Sequence, residues 1–107
     1  MIREAIDALV SGGSLTFEQA VGVMEEIMDG EATPAQFGSF VTALRIKGET
    51  VDEIAGLASV MRAKAVPVSV PSFGVDTCGT GGDNSSTFNI STAAAFVTAG
   101  SGLKVAK

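Results

Sequence analysis

Val66-Pro67-Val68-Ser69-Val70-Pro71 is where the chain changes its pattern. Each proline disfavours helical backbone at the residue before it, and neither ring offers an amide hydrogen. Residues 66–74 therefore read as a hinge linker between two differently built halves. Before the hinge, apolar residues recur at helical spacing. After it, short apolar runs alternate with a loop of glycine, hydroxyl and amide residues.

Working back from the hinge, residues 1–65 predict a four-helix bundle domain. In the first helix, Ile2, Ala5, Ile6, Leu9 and Val10 keep the helical period until Gly12-Gly13 stops it. The other three open on the same device: Thr16-Phe17-Glu18-Gln19, Thr33-Pro34-Ala35-Gln36 and Thr50-Val51-Asp52-Glu53. In such a capping box the threonine oxygen takes one orphan amide while Gln or Glu reaches back to another. Pro34 falls at the first helical position, where its missing amide hydrogen costs nothing. Gly30 and Gly48 fall where helices commonly end. The predicted core stripes are Phe17, Val21, Met24, Ile27 and Met28; then Phe37, Phe40, Val41 and Leu44; then Ile54, Leu57, Ala58 and Met61. Met24, Met28 and Met61 are expected in the core, and Glu25, Glu26 and Asp29 on a solvated face.

Forward of the hinge, Val75 to Cys78 predict a short buried strand and Gly79 to Asn89 a loop. An Ala-rich helix is expected from about Ser91 to Ala99, and Leu103 to Lys107 predict a second strand. Strand, loop, helix and strand over this length make one βαβ unit. The expected fold class is thus α plus α/β: a helical domain, 1–65, then residues 75–107 as the start of a larger α/β domain. A two-stranded parallel sheet leaves its faces and edges uncovered, so the chain reads as a fragment.

Composition narrows the chemistry. Of 107 residues, 46% are hydrophobic, enough to build a core rather than remain disordered. No apolar run approaches the roughly 18 to 20 residues that span a bilayer. Met1-Ile2-Arg3-Glu4 does not open like a signal peptide, and one cysteine, Cys78, cannot form an internal disulfide. A reducing, cytoplasmic setting is expected. The net charge of −5, with neither Trp nor Tyr, argues against nucleic acid. With no histidine, Ser-His and Cys-His catalysis are excluded from this segment.

The chemistry concentrates in Asp76-Thr77-Cys78-Gly79-Thr80-Gly81-Gly82-Asp83-Asn84-Ser85-Ser86-Thr87-Phe88-Asn89-Ile90-Ser91-Thr92. Three glycines within four positions, directly after a strand, let the backbone approach a ligand closely. Their amides can form an anion-binding concavity, and hydroxyls at Thr87, Ser91 and Thr92 lead into a helix N-terminus. Lys107 would reach the same sheet edge, where ligands of open α/β sheets bind. No Gly-Lys-Ser/Thr closes a Walker A loop, and Asn84 stands where a Rossmann fingerprint needs its third glycine. A carboxylate inside the loop, Asp83, suits the orientation of hydrated Mg²⁺, a sugar hydroxyl or an amine.

Gly79-Thr80-Gly81-Gly82-Asp83, Asn89-Ile90-Ser91-Thr92 and Val105-Ala106-Lys107, behind a helical segment and a proline hinge, resemble successive motifs of the anthranilate phosphoribosyltransferase family. The resemblance covers the whole chain and about the first third of the usual family length. It implies transfer of phosphoribose from phosphoribosyl pyrophosphate to the amine of anthranilate, releasing pyrophosphate, in tryptophan biosynthesis. It further implies that Gly79, Gly82, Asp83, Thr87, Asn89, Ile90, Ser91, Thr92 and Lys107 surround phosphoribosyl pyrophosphate. Ser91 would also be a Mg²⁺ ligand, Gly79 would border anthranilate, and the helical domain would form homodimers. No catalytic residue is assigned within the chain. The His-Gly-Asn-Arg continuation after Lys107, the later acidic pair and the anthranilate-binding arginine of the family fall outside it, so residues 1–107 alone are expected to be inactive. Two other readings stay open. Pyrimidine nucleoside phosphorylases share the fold but usually separate the glycines from the aspartate, and a non-catalytic dimerisation fragment would need only the helical half.

Overall fold

In the computed structural model, residues 1–69, 73–79, 81 and 87–107 are described. Four helices fill the first part: α1, Ile2–Val10; α2, Phe17–Met28; α3, Pro34–Lys47; and α4, Val51–Lys64. A fifth, α5, runs Ile90–Gly100. Contacts divide the chain into two compact units, Met1–Val66 and Pro67–Lys107. The helical bundle agrees with the sequence expectation, and residues 1–65 contain no strand.

All three capping boxes form. Gln19 N–H donates to Thr16 Oγ1 at 3.2 Å while Gln19 Oε1 accepts from Thr16 N–H at 2.9 Å. Thr33 and Gln36 repeat this at 3.3 and 2.8 Å, and Thr50 and Glu53 at 3.3 and 2.7 Å. Pro34 opens α3. Gly48 caps α3 with φ +89°, a left-handed conformation that disfavours any side chain with a Cβ.

The first unit is organised by two pairings, α2 against α4 and α1 against α3. Its core joins Ile2, Ala5 and Leu9 of α1 with Leu15, Val23, Phe40, Ala43 and Leu44. The buried stripe of α2 is Ala20, Val23 and Met24, and that of α4 is Glu53, Gly56 and Val60. These differ from the predicted stripes. Met24, Phe40 and Leu44 lie inside as expected, but Phe17, Met28, Phe37, Val41, Ile54 and Met61 are exposed.

The rotation of α4 has a local cause. A Cβ on Gly56 would stand 2.6 Å from the Phe17 carbonyl oxygen and 2.8 Å from Ala20 Cβ. Gly56 thus permits a close approach of α2 that a larger inward residue would block. Three residues earlier, the capping box draws Glu53 inward too. The apolar count favoured Ile54, Leu57 and Met61, but close contact at a glycine outweighs it. Leu57 remains partly buried against the core. Of the three acids expected on a solvated face, Glu25 and Asp29 are exposed, Asp29 pairing with Lys64, while Glu26 is half-buried and accepts Ile2 N–H at 2.9 Å.

In the second unit, Val75 and Val105 form a parallel bridge. Val75 N–H donates to the Lys104 carbonyl at 2.9 Å, and Ala106 N–H to the Val75 carbonyl at 3.1 Å. Among the described residues no strand extends from it, so the two predicted strands are reduced to one bridge. A parallel pair gains little without neighbours on its edges and cover on its faces. Consistent with that, α5 has no buried residue, with Phe96 and Val97 exposed. Cys78, expected in a buried strand, is exposed as well. Among the described residues no helix is long and apolar enough to cross a membrane.

Candidate functional site

The bridge between Val75 and Val105 brings two chain segments side by side, so Asp76 to Gly79 and Lys107 emerge in the same direction. The Asp76 carboxylate accepts Cys78 N–H at 2.8 Å, a local turn two residues long. That hydrogen bond, aided by the Cys78 thiol and the charge of Lys107, holds the Asp76 carboxyl below its ordinary pKa. Thr77 instead donates its hydroxyl to the Ser91 carbonyl at 3.0 Å, joining the end of the bridge segment to the first turn of α5.

That first turn starts one residue earlier than predicted. Asn89 is the N-cap, its Oδ1 accepting Thr92 N–H at 3.1 Å. The same oxygen accepts the Ser91 hydroxyl at 3.2 Å. Ser91 Oγ in turn accepts from Lys107 Nζ at 2.7 Å. A chain of polar groups therefore runs from the ammonium of Lys107 through Ser91 to the amide of Asn89, at the positive end of a helix. Thr77, Gly79, Gly81, Thr87, Phe88, Asn89, Ile90 and Ser91 line one depression there.

Of the residues singled out in the sequence, Gly79, Thr87, Asn89, Ile90 and Ser91 meet in that depression. Thr92 takes part through its amide to Asn89, and Lys107 through Ser91. Gly82 and Asp83 lie outside the described residues. Gly79 has open space where a Cβ would stand, and Gly81 has φ +74°. Both observations suit a loop whose backbone, rather than side chains, faces a ligand. Sequence reasoning missed Thr77 and Asp76. The signal for Asp76 was present, since Asp commonly bonds the amide two residues on; Thr77 becomes visible only when α5 is folded back beside it.

The described donors are neutral oxygens, Ser91 Oγ and Asn89 Oδ1 foremost, and among the described residues no group of three acids, cysteines or histidines could hold a metal. Such a set cannot cage a cation alone. It fits Mg²⁺, which keeps several waters and takes its remaining ligands from a substrate's phosphates.

Comparison with known proteins matches both halves of the chain. Residues 3–65 match the model of a glycosyl transferase family, helical bundle domain, and residues 72–107 that of a glycosyl transferase family, a/b domain. The chain is 62% identical over 107 residues to an anthranilate phosphoribosyltransferase of Dehalococcoides mccartyi, covering 100% of this chain and 31% of that protein. It is 63% identical over 106 residues to one of Chloroflexus aurantiacus, covering 99% of this chain and 31% of that protein. With one of Acetivibrio thermocellus it shares 56% over 108 residues, 100% of this chain and 31% of the relative. The chain thus spans about a third of the length of these curated relatives. With its bundle and its loop-bearing half each matched by the corresponding domain, the chain belongs to this glycosyl transferase family.

Proposed function

We propose that this chain is the N-terminal part of an anthranilate phosphoribosyltransferase acting in tryptophan biosynthesis. One observation carries the reading: Ser91 Oγ, Asn89 Oδ1 and Lys107 Nζ converge at the start of α5, beside glycines 79 and 81. The Ser91 hydroxyl and the Lys107 ammonium at a helix N-terminus suit a diphosphate, while Asn89 Oδ1, an acceptor, orients the hydroxyl. The relatives' name, anthranilate phosphoribosyltransferase, supports anthranilate as the acceptor and a phosphoribosyl group as what is moved, and in this reading phosphoribosyl pyrophosphate is its source.

In this reading Gly79, Gly82, Asp83, Thr87, Asn89, Ile90, Ser91, Thr92 and Lys107 surround phosphoribosyl pyrophosphate, and Gly79 also borders anthranilate. Val75 and Val105 belong to the two strands, 75–78 and 103–107, of a βαβ unit in a larger α/β domain, joined by a hinge at residues 66–74 to the helical domain. The match of 72–107 to an a/b domain supports that. Mg²⁺, with Ser91 Oγ as one ligand, would neutralise charge on the departing pyrophosphate.

The residues of this chain bind and align. Anthranilate's amine is neutral at pH 7, so its nitrogen lone pair can form the bond to the sugar carbon without a base to activate it. The bond from that carbon to pyrophosphate breaks, its electron pair leaves with the pyrophosphate, and the nitrogen then loses a proton. The enzyme's task is to hold the reactants in line and to offer positive groups to the departing oxygens. Lys107 contributes charge, the glycine loop contributes amides, and Asn89 orients the Ser91 hydroxyl.

Exposed Val10 on α1, Phe37, Val41 and Ile46 on α3, and Ile54 and Met61 on α4 support homodimerisation through the helical domain. The lone cysteine, exposed and unpaired in a disulfide, suits a cytoplasmic setting.

The test is Ser91→Ala in the full-length protein. Its affinity for phosphoribosyl pyrophosphate, measured by calorimetry across a Mg²⁺ titration, should fall by about 1–3 kcal/mol while the melting temperature stays within a few degrees. Unchanged affinity at every Mg²⁺ concentration overturns the assignment.

A further inference from the structure

We infer that Thr77 is a positioning residue for the anion site, acting through Ser91; the inference rests on the diphosphate reading above. Thr77 Oγ1 donates to the Ser91 carbonyl at 3.0 Å, across fourteen residues of sequence. That carbonyl lies in the first turn of α5, where the helix already provides an amide four residues on, so the hydroxyl is not required to satisfy it. What the bond adds is attachment. It fastens the segment that leads into the glycine loop to the turn that presents the Ser91 hydroxyl.

The surroundings make that attachment matter. Val75, two residues before Thr77, is held to Lys104 and Ala106 by backbone bonds of 2.9 and 3.1 Å, so Thr77 projects from an anchored position. Its neighbour Cys78 is fixed by Asp76 at 2.8 Å. Within this chain the first turn of α5 is tied by polar contacts: Thr77 to the Ser91 backbone, and Lys107 and Asn89 to the Ser91 hydroxyl. Removing the Thr77 hydroxyl releases the backbone while leaving every proposed ligand in the sequence. A valine keeps the branched shape and half-buried volume but offers no donor.

In the full-length protein, Thr77→Val should weaken binding of Mg²⁺-phosphoribosyl pyrophosphate about five- to tenfold, the worth of one ordinary hydrogen bond. Because the effect falls on ground-state binding, KM for that substrate should rise more than kcat falls. Thr77→Ser, which restores the hydroxyl without the methyl, should recover most of the affinity. The decisive readout is coupling: in the Ser91→Ala background, Thr77→Val should cost little more, since the group it positions is gone. A purely structural role predicts additive losses and no rescue by serine, and either result overturns the inference. If Ser91→Ala weakens binding and Thr77→Val does not, the positioning role falls and the diphosphate site stands. If neither variant alters binding, both fall. Thermal melting of each variant separates lost binding from lost fold, and should valine prevent folding, Thr77→Ala takes its place.

Discussion

Glu53→Ala will destabilise the helical half by about 3–5 kcal/mol, the usual penalty for leaving a buried ion without its partner. Glu53 has no exposed surface, and it accepts four hydrogen bonds. Leu15 N–H reaches Oε1 at 2.9 Å, Thr50 N–H reaches Oε2 at 2.7 Å, and Lys47 Nζ stands 2.8 Å from both oxygens. Lys47 also donates to Ser14 Oγ at 3.1 Å and is itself only 10% exposed. One carboxylate thereby fastens the loop between α1 and α2, the end of α3 and the start of α4. Alanine would strand an ammonium and two amides at once. Since domains of this size are stable by roughly 5–15 kcal/mol, the loss should appear as a large fall in the midpoint of urea unfolding.

The same residue sets a pH dependence. Burial pushes the Glu53 carboxyl up, but Lys47 and then the amides of Leu15 and Thr50 outweigh it, bringing the pKa from 4.5 down to about 2. A depressed folded-state pKa means stability present above the unfolded value and lost as pH falls from about 4.5 towards 2. A shift of this size corresponds to roughly 3 kcal/mol. The gap between wild type and Glu53→Gln should therefore be full at pH 7 and shrink below pH 4.5. A gap that stays constant down to pH 2.5, measured by urea melts across the range, would remove Glu53 as the cause.

Gly56→Val should cost about 3 kcal/mol, the upper end for overpacking a close contact. The added atoms would meet the Phe17 carbonyl and Ala20, at 2.6 and 2.8 Å for the first carbon alone, and backbone cannot move aside cheaply. Helix propensity by itself argues the opposite way, since glycine is worse than alanine by about 1 kcal/mol in a helix interior. Gly38, inside α3, separates the two effects. Nothing lies within 4 Å of its Cβ position, so Gly38→Ala should stabilise by about 1 kcal/mol. Were Gly56→Ala to stabilise as Gly38→Ala does, the close approach of α2 and α4 would be wrong.

Much of the fold was legible because helix ends are local chemistry. Thr16, Thr33 and Thr50 with Gln19, Gln36 and Glu53 need only three residues of context, and all three boxes form as read. Which face turns inward is a different kind of question. It depends on how near a neighbouring helix can come, and the apolar periods of α4 pointed to Ile54 and Met61 while Gly56 and Glu53 lie inside. The candidate site divides in the same way. Its glycines and hydroxyls were evident from composition and order, whereas the bond from Thr77 to Ser91 joins residues whose nearness no local pattern reveals.

The sequence by itself determined where the four helices of the first unit start, that a proline-containing stretch separates two patterns, and that one stretch carries hydroxyls and glycines suited to an anion. Those features follow from backbone sterics and from hydrogen bonds spanning a few residues, so they survive without knowledge of neighbours. Only the tertiary structure decided that Glu53 is a buried junction rather than a surface cap, because its partners Leu15 and Lys47 come from other segments. Lys107 was expected at the edge that carries Ser91, but only the folded chain shows the direct bond from its ammonium to the Ser91 hydroxyl, beside the bridge of Val75 and Val105. Burial and long-range pairing are properties of the assembled chain, set by which surfaces can approach closely enough to exclude water.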